Sequence, residues 1–319
     1  MLTLQPSVSF WDCGEFIATA CKVQVGHQPG APLFMMLGKL FSMAAGSPVQ
    51  VAFWVNVLSA LASALTVMFL FWTITALGRK LVVNDDPMHG WQTVLVVGAG
   101  LVGALAYAYS DSFWFSAVEA EVYAVSSLCT AIVFWAALRW EAAADARSAS
   151  RWMILIAYLI GLSIGIHLLS LLAIPAMVLL WYFREKREVT LKGVLFALLA
   201  GCGMLALVQY GIGQYLVRLA FRTDLFFVNS LHLGFGTGVL FFLVLVAGAL
   251  GLGIWYSHRK RRPALNLALI GVSFIIFGYS SYAMILIRAE ARTSINISNP
   301  DNGYGLLRYL AREQYVQAP

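Results

Sequence analysis

The sequence predicts an all-α polytopic membrane protein, a bundle of transmembrane helices fronted by an acidic first outer loop. Three observations carry that expectation. Hydrophobic residues make up 61% of the chain and charged ones 11%, with a mean hydropathy of +0.79, whereas a soluble domain carries roughly 25% charged residues. Eight apolar segments, roughly 51–78, 92–109, 122–139, 152–166, 168–183, 192–213, 237–256 and 265–288, are read as spans, against the ~20 residues a crossing helix needs. Their lengths are helical and do not match the ~10-residue alternation of an outer-membrane barrel strand.

The chain opens on Asp12-Cys13-Gly14-Glu15, with His27-Gln28-Pro29-Gly30-Ala31-Pro32-Leu33 close behind. Asp12 and Glu15 have the spacing of a capping box opening a helix Phe16–Lys22. The same pair can instead supply a carboxylate that accepts a proton from a nucleophile, one capping while the other reacts. The prolines and Gly30 form a turn between two helices; nothing in a turn requires the imidazole of His27. Residues 33–46 are apolar but about fourteen long, short of a span. They are expected to form a helix along or dipping into the interface, with Lys39 snorkelling.

The spans follow in order, and charge orients them. Arg79-Lys80, then Arg139/Arg147/Arg151, then Arg184/Lys186/Arg187/Lys192, then Arg259-Lys260-Arg261-Arg262 fall on every second connection, thirteen of the twenty-one basic residues. The positive-inside rule makes that side cytoplasmic. The outer side then collects Asp12, Glu15, His27, the stretch Asp111–Tyr123, His167 at a hairpin apex, the loop 214–236 and the tail after Arg288. That tail ends in an amphipathic segment 306–312. Nine of the fifteen acidic residues lie on that outer side. The division expected is an outer catalytic loop 1–50, a bundle 51–288 and an outer tail 289–319. With no span or signal ahead of Asp12 and a short tail, the sequence reads as a piece of a longer protein. The four cysteines, at 13, 21, 129 and 202, show no zinc or CxxC spacing and are read as small apolar residues. No metal ligand set is identified, and the residues do not decide for or against a divalent metal.

Further candidates lie on the outer side. Glu119, Glu121 and Tyr123 enter the membrane boundary, where acidic groups are costly; Glu119 and Tyr123 become i, i+4 neighbours if a helix has begun there. His167 ends an apolar run, open to a backbone partner or to substrate. Arg218, Arg222, Arg288 and Arg292 break the positive-inside pattern and suit either lipid headgroups or a phosphate, with Arg288 the preferred substrate contact.

The segments Val8–Ala20, His27–Leu33, Phe113–Tyr123 and Gly161–His167 together resemble the membrane proteins of the domain-of-unknown-function 2723 family, related to protein O-mannosyltransferases. The resemblance covers nearly the whole chain. It implies a GT-C-like architecture, with a catalytic acidic residue in the first outer loop, interfacial helices and a His/Lys-Pro-Pro-Leu-type turn. This chain has Pro-Gly-Ala-Pro in place of adjacent prolines and Asp-Cys-Gly-Glu in place of adjacent Asp-Glu. The expected function is an inverting glycosyltransferase of the bacterial inner membrane or its equivalent, active on the periplasmic or luminal face. It would move a sugar from a polyprenyl-phosphate donor to an exported protein or a glycan. Asp12 and Glu15 are the catalytic candidates; His27, Glu119, Glu121, Tyr123, His167 and Arg288 are the substrate-binding ones. Membrane lipid is a partner and nucleic acid is not. A transporter or flippase of a lipid-linked intermediate, or an envelope scaffold, is the alternative.

Overall fold

The computed structural model describes residues 2–83, 87–186 and 188–315; Arg187, counted above among the basic residues, and Pro319 lie outside them. The chain is 78% helical and has no strand among the described residues, so it is an all-α polytopic membrane protein. Among the described residues, seven helical stretches are long and apolar enough to cross a membrane: Pro48–Val82, Gly90–Ala108, Val122–Glu141, Leu168–Glu185, Leu191–Leu231, Thr237–Arg259 and Pro263–Glu290. The chain divides into two compact units. One holds Met1–Val23, Leu33–Trp152 and Ile166–Ala173; the other holds Gln24–Pro32, Met153–Gly165 and Ile174–Pro319.

The first unit begins with α1 (Cys13–Lys22) and α2 (Pro32–Ser42). Pro32 takes the first helical position of α2, where its missing N–H costs nothing. At eleven residues, α2 is about 17 Å long and too short to span. Lys39 does not snorkel: its ammonium donates to the Cys21 carbonyl at 2.7 Å. The last carbonyls of α1 have no helical partner, and a cation satisfies both their lone pairs and the helix dipole.

The long helix α3 (Val51–Val82) buries Ala52, Val55, Asn56, Ser59, Ala62, Ser63 and Thr66 on one stripe. Small residues at that period let another helix approach closely. α3 packs on α6 (Val122–Glu141), on α4 (Gly90–Ala108) and on α5 (Asp111–Val118). At their far ends Lys80 and Glu141 form an ion pair. The next helix, α7 (Ala146–Ile164), accounts for the difference between eight expected spans and seven. Its opening turns carry Arg147 and Arg151, so its apolar part runs only from Trp152, about 20 Å.

The second unit holds most of α8 (Ala173–Glu185), then α9 (Leu191–Ala206), a π-helical stretch Leu207–Leu216, α10 (Val217–Leu231), α11 (Thr237–Arg259), α12 (Pro263–Tyr279), α13 (Ala283–Glu290) and α14 (Gly303–Leu310). The expected outer loop 214–236 is therefore mostly helix. Residues 214–231 contain neither proline nor glycine, so nothing stops the helix that starts at Leu191. The turn comes later, at His232–Gly236, and the Asp224 carboxylate caps α11 by accepting from the amides of Gly236 and Gly238 at 3.1 and 2.9 Å.

Glycine sets one helix crossing in this unit. Gly161 of α7 faces the Ile275 backbone of α12, and a Cβ on Gly278 would lie 2.5 Å from the Leu162 nitrogen. No side chain fits between backbones that close. Gly278→Val should therefore destabilise the protein by roughly 2 kcal/mol or more through overpacking, seen as a lower melting temperature in detergent; Gly271→Val, with only an ordinary contact to Ala157, should change it far less.

Candidate functional site

The site in the first unit is built from two pieces of chain about 110 residues apart. α5 ends at Val118, and Glu119, at φ −134° and ψ 158°, starts an extended link that leads through Ala120 and Glu121 into α6. The opening segment docks on this link. The Gln5 amide donates to the Val118 carbonyl at 3.1 Å. Ser9 Oγ donates to Glu119 Oε2 at 2.6 Å, and Cys13 Sγ donates to Glu121 Oε1 at 3.8 Å. From α3, fully buried Asn56 donates its amide to the carbonyls of Gln5 and Ser7 at 2.8 and 3.1 Å. These bonds hold an irregular segment against the bundle where regular structure gives it no partners.

The four carboxylates divide by exposure. Glu119 and Glu121 are 9% and 7% exposed and hold the opening segment in place. Asp12 is exposed and Glu15 half-buried. Asp12 occupies the N-cap position of α1, but at φ −81° and ψ −1° its side chain makes no cap hydrogen bond, and Glu15 lies in the first turn. The capping-box reading is thus not realised, because a helical backbone at the cap turns the carboxylate away from the first-turn amides. Trp11, just before it, is left-handed at φ 56° and almost fully exposed. Between the carboxylates sits Cys13, whose thiol is pushed up to about 12 by burial and then by the charges of Glu119 and Glu121.

Glu119 and Tyr123 are not i, i+4 helical neighbours, since α6 starts only at Val122. Tyr123 instead meets His167, their rings edge to face at 5.3 Å. His167 Nδ1 accepts the Leu169 amide at 3.1 Å and opens the 3-10 turn Leu168–Leu172. That bond puts the proton of the neutral ring on Nε2. Of the two partners foreseen for His167, the backbone one is therefore present. Asp12, Glu15, Glu119, Glu121, Tyr123 and His167 all belong to the first unit.

His27 and Arg288 belong to the second. The His27 turn closes through the Gly30 amide on the His27 carbonyl at 2.9 Å. Tyr309 of α14, fully buried, reaches into it and donates its hydroxyl to the carbonyls of Gly26 and His27 at 2.6 and 3.0 Å. Gly30 stands at φ 82°, and a Cβ there would lie 2.7 Å from that hydroxyl. Around it, Val25 exchanges backbone bonds with Ile295 and Ile297, and Gln28 donates to Ser298 at 3.0 Å. Tyr282 donates to the Gly30 carbonyl at 3.3 Å. Arg288 lies in the last turn of α13, half-buried. Among the described residues no three His, Cys, Asp or Glu side chains are placed to hold a metal ion.

Ser9, Asn56, Gln28 and Tyr309 were not singled out from the sequence. Asn56 carried a usable signal, a lone amide inside an apolar span. Tyr309 lay within the amphipathic segment 306–312, and its partners are backbone atoms some 280 residues away.

Two outcomes follow from this geometry. Tyr309→Phe keeps the ring but removes the hydroxyl that the Gly26 and His27 carbonyls accept, and should cost about 1–3 kcal/mol, read as a lower melting temperature. In the folded protein at pH 8 a thiol at about 12 is roughly one part in ten thousand thiolate, so N-ethylmaleimide should leave Cys13 unmodified until denaturation. The Cys13 contribution to stability is complete below the ordinary thiol value of 9.0 and falls as pH rises towards 12.

Comparison with known proteins places this arrangement. Residues 12–190 match the model of the protein O-mannosyl-transferase TMEM260 N-terminal domain. A protein of Mus musculus named protein O-mannosyl-transferase TMEM260 is 30% identical over 221 residues, 68% of this chain and 29% of its own length. A protein of Dictyostelium discoideum with the same name is 28% identical over 135 residues, 42% of this chain and 14% of its own length. The chain thus spans less than a third of these relatives. No solved structure matches. The matched region contains Asp12, Glu15, His27, the Glu119–Glu121 link and His167, and by it the chain belongs to the TMEM260 N-terminal domain family.

Proposed function

We propose that this chain carries the catalytic front of a membrane glycosyltransferase that moves a sugar from a polyprenyl-phosphate donor to a Ser or Thr hydroxyl of an exported protein. The names of the mouse and Dictyostelium relatives support transfer to protein. A lipid-linked donor suits an outer, periplasmic or luminal face, where nucleotide sugars are not normally available. The observation that carries the mechanism is the exposed, uncapping Asp12 carboxylate on a segment pinned by buried Glu119 and Glu121.

Asp12 takes the acceptor hydroxyl proton as general base. The hydroxyl oxygen attacks the anomeric carbon, the bond from that carbon to the phosphate oxygen breaks with inversion, and the lipid phosphate leaves with the electron pair. His167, which belongs to the same unit as Asp12, offsets the charge that develops on the phosphate. Glu15, half-buried one turn along, is the second candidate base. This is the chemistry of the GT-C class that the sequence resembles.

Transport of a lipid-linked intermediate has less support. A transporter needs ionisable groups near the bilayer midplane, whereas the stretches 51–78, 90–108, 122–138, 193–217, 237–258 and 263–287 contain no Asp, Glu, Lys or Arg. In the full-length protein in membranes, Asp12→Asn should lower sugar transfer by about 10²–10⁴-fold with expression unchanged, followed by mass spectrometry of an acceptor peptide. Wild-type turnover in Asp12→Asn would remove Asp12 as the base, and loss only in Glu15→Gln would move the role there.

A further inference from the structure

We propose that a pocket between α10 and α14 binds the phosphate of an anionic phospholipid headgroup. The pocket encloses about 250 Å³, and its polar lining is Arg218, Arg222, Tyr304, Arg308 and Glu313. It is a built site: the Phe221 ring of α10 packs over Gly303, so α14 begins on a residue with no side chain. Three guanidinium groups face one carboxylate, a net charge of +2. Arg218 and Arg222 are one helical turn apart on one face. Arg308 uses its Nε–H on Glu313 Oε2 at 2.7 Å, and its guanidinium has four further N–H groups. Planar guanidinium forks match the oxygen spacing of a phosphate.

Depth identifies the source of that phosphate. The helix Leu191–Leu231 runs for 41 residues, about 60 Å. A bilayer with its headgroups is about 40–45 Å thick. A helix entering at Lys192 therefore delivers Arg218, about 39 Å further along, to the opposite headgroup layer. The surroundings agree: Tyr215, Tyr304, Leu219 and Phe226 are each exposed over half or more of their surface. Tyrosines gather at the level of the headgroups, and an exposed apolar face suits the acyl chains below them. The positive-inside rule disfavours arginines at that end of the helix, and a bound anion offsets the cost. The site is independent of the proposed glycosyl transfer.

The test uses the full-length protein in phosphatidylcholine nanodiscs with stepwise added phosphatidylglycerol, read by melting temperature. The wild type should show a saturable rise, and Arg218→Gln/Arg222→Gln should weaken apparent affinity by about tenfold or more. Arg261→Gln, outside the pocket, should titrate like the wild type. Glu313→Gln, which removes the competing carboxylate, should lower the half-saturating phosphatidylglycerol, and this variant keeps the proposal falsifiable should the double variant not fold. An unchanged titration in the double variant, or weaker binding in Glu313→Gln, overturns the site. An equal rise with inorganic phosphate in pure phosphatidylcholine nanodiscs overturns the lipid as its ligand.

Discussion

The docking of the opening segment on the Glu119–Glu121 link is the constraint on which the site depends. A carboxylate buried in so apolar a chain is tolerated only when its oxygens are bonded. Ser9 and Cys13 supply bonds from one side while Asn56 secures the backbone of the same segment from α3. The two glutamates therefore act as posts. They set where α1 begins, and with it where the exposed Asp12 carboxylate stands. Burial of the charged residues and exposure of the reactive candidate are two sides of one arrangement.

The second unit uses the same economy of polar atoms. A turn with two prolines and a left-handed glycine has few ways to satisfy its own carbonyls. Tyr309 and Tyr282 satisfy three of them, and the space left by the missing Cβ of Gly30 admits the Tyr309 hydroxyl. The tail after α13 is thus part of what shapes the His27 turn.

Much of this was legible in the sequence because membrane physics leaves few options. Apolar runs of about twenty residues had to be helices, and α3, α4, α6, α11 and α12 fall close to the expected spans. Where local signals were weak, the readings departed from the fold. A charged segment after Gly213 read as a loop, yet without a breaker the helix continued to Leu231. Arg147 and Arg151 shortened the apolar part of α7 below a span. Asp12 and Glu15 had capping-box spacing, but spacing does not fix the φ and ψ of the cap residue. Glu119 and Glu121 were legible as costly residues; that they bond Ser9 and Cys13 was not, because those partners lie more than a hundred residues away and serine and cysteine carry no sequence signal of their own.

Family membership and the pinned acidic segment are what the proposed glycosyl transfer rests on. The most direct test is a double-mutant cycle between Ser9→Ala and Glu119→Gln in the full-length protein, read as the initial rate of sugar transfer. If Ser9 and Glu119 act together to place the opening segment, the two losses should be non-additive, with a coupling of roughly 1–3 kcal/mol, the double variant being little slower than Glu119→Gln alone. Losses that simply add would show that the docking bond does not set the geometry of the site.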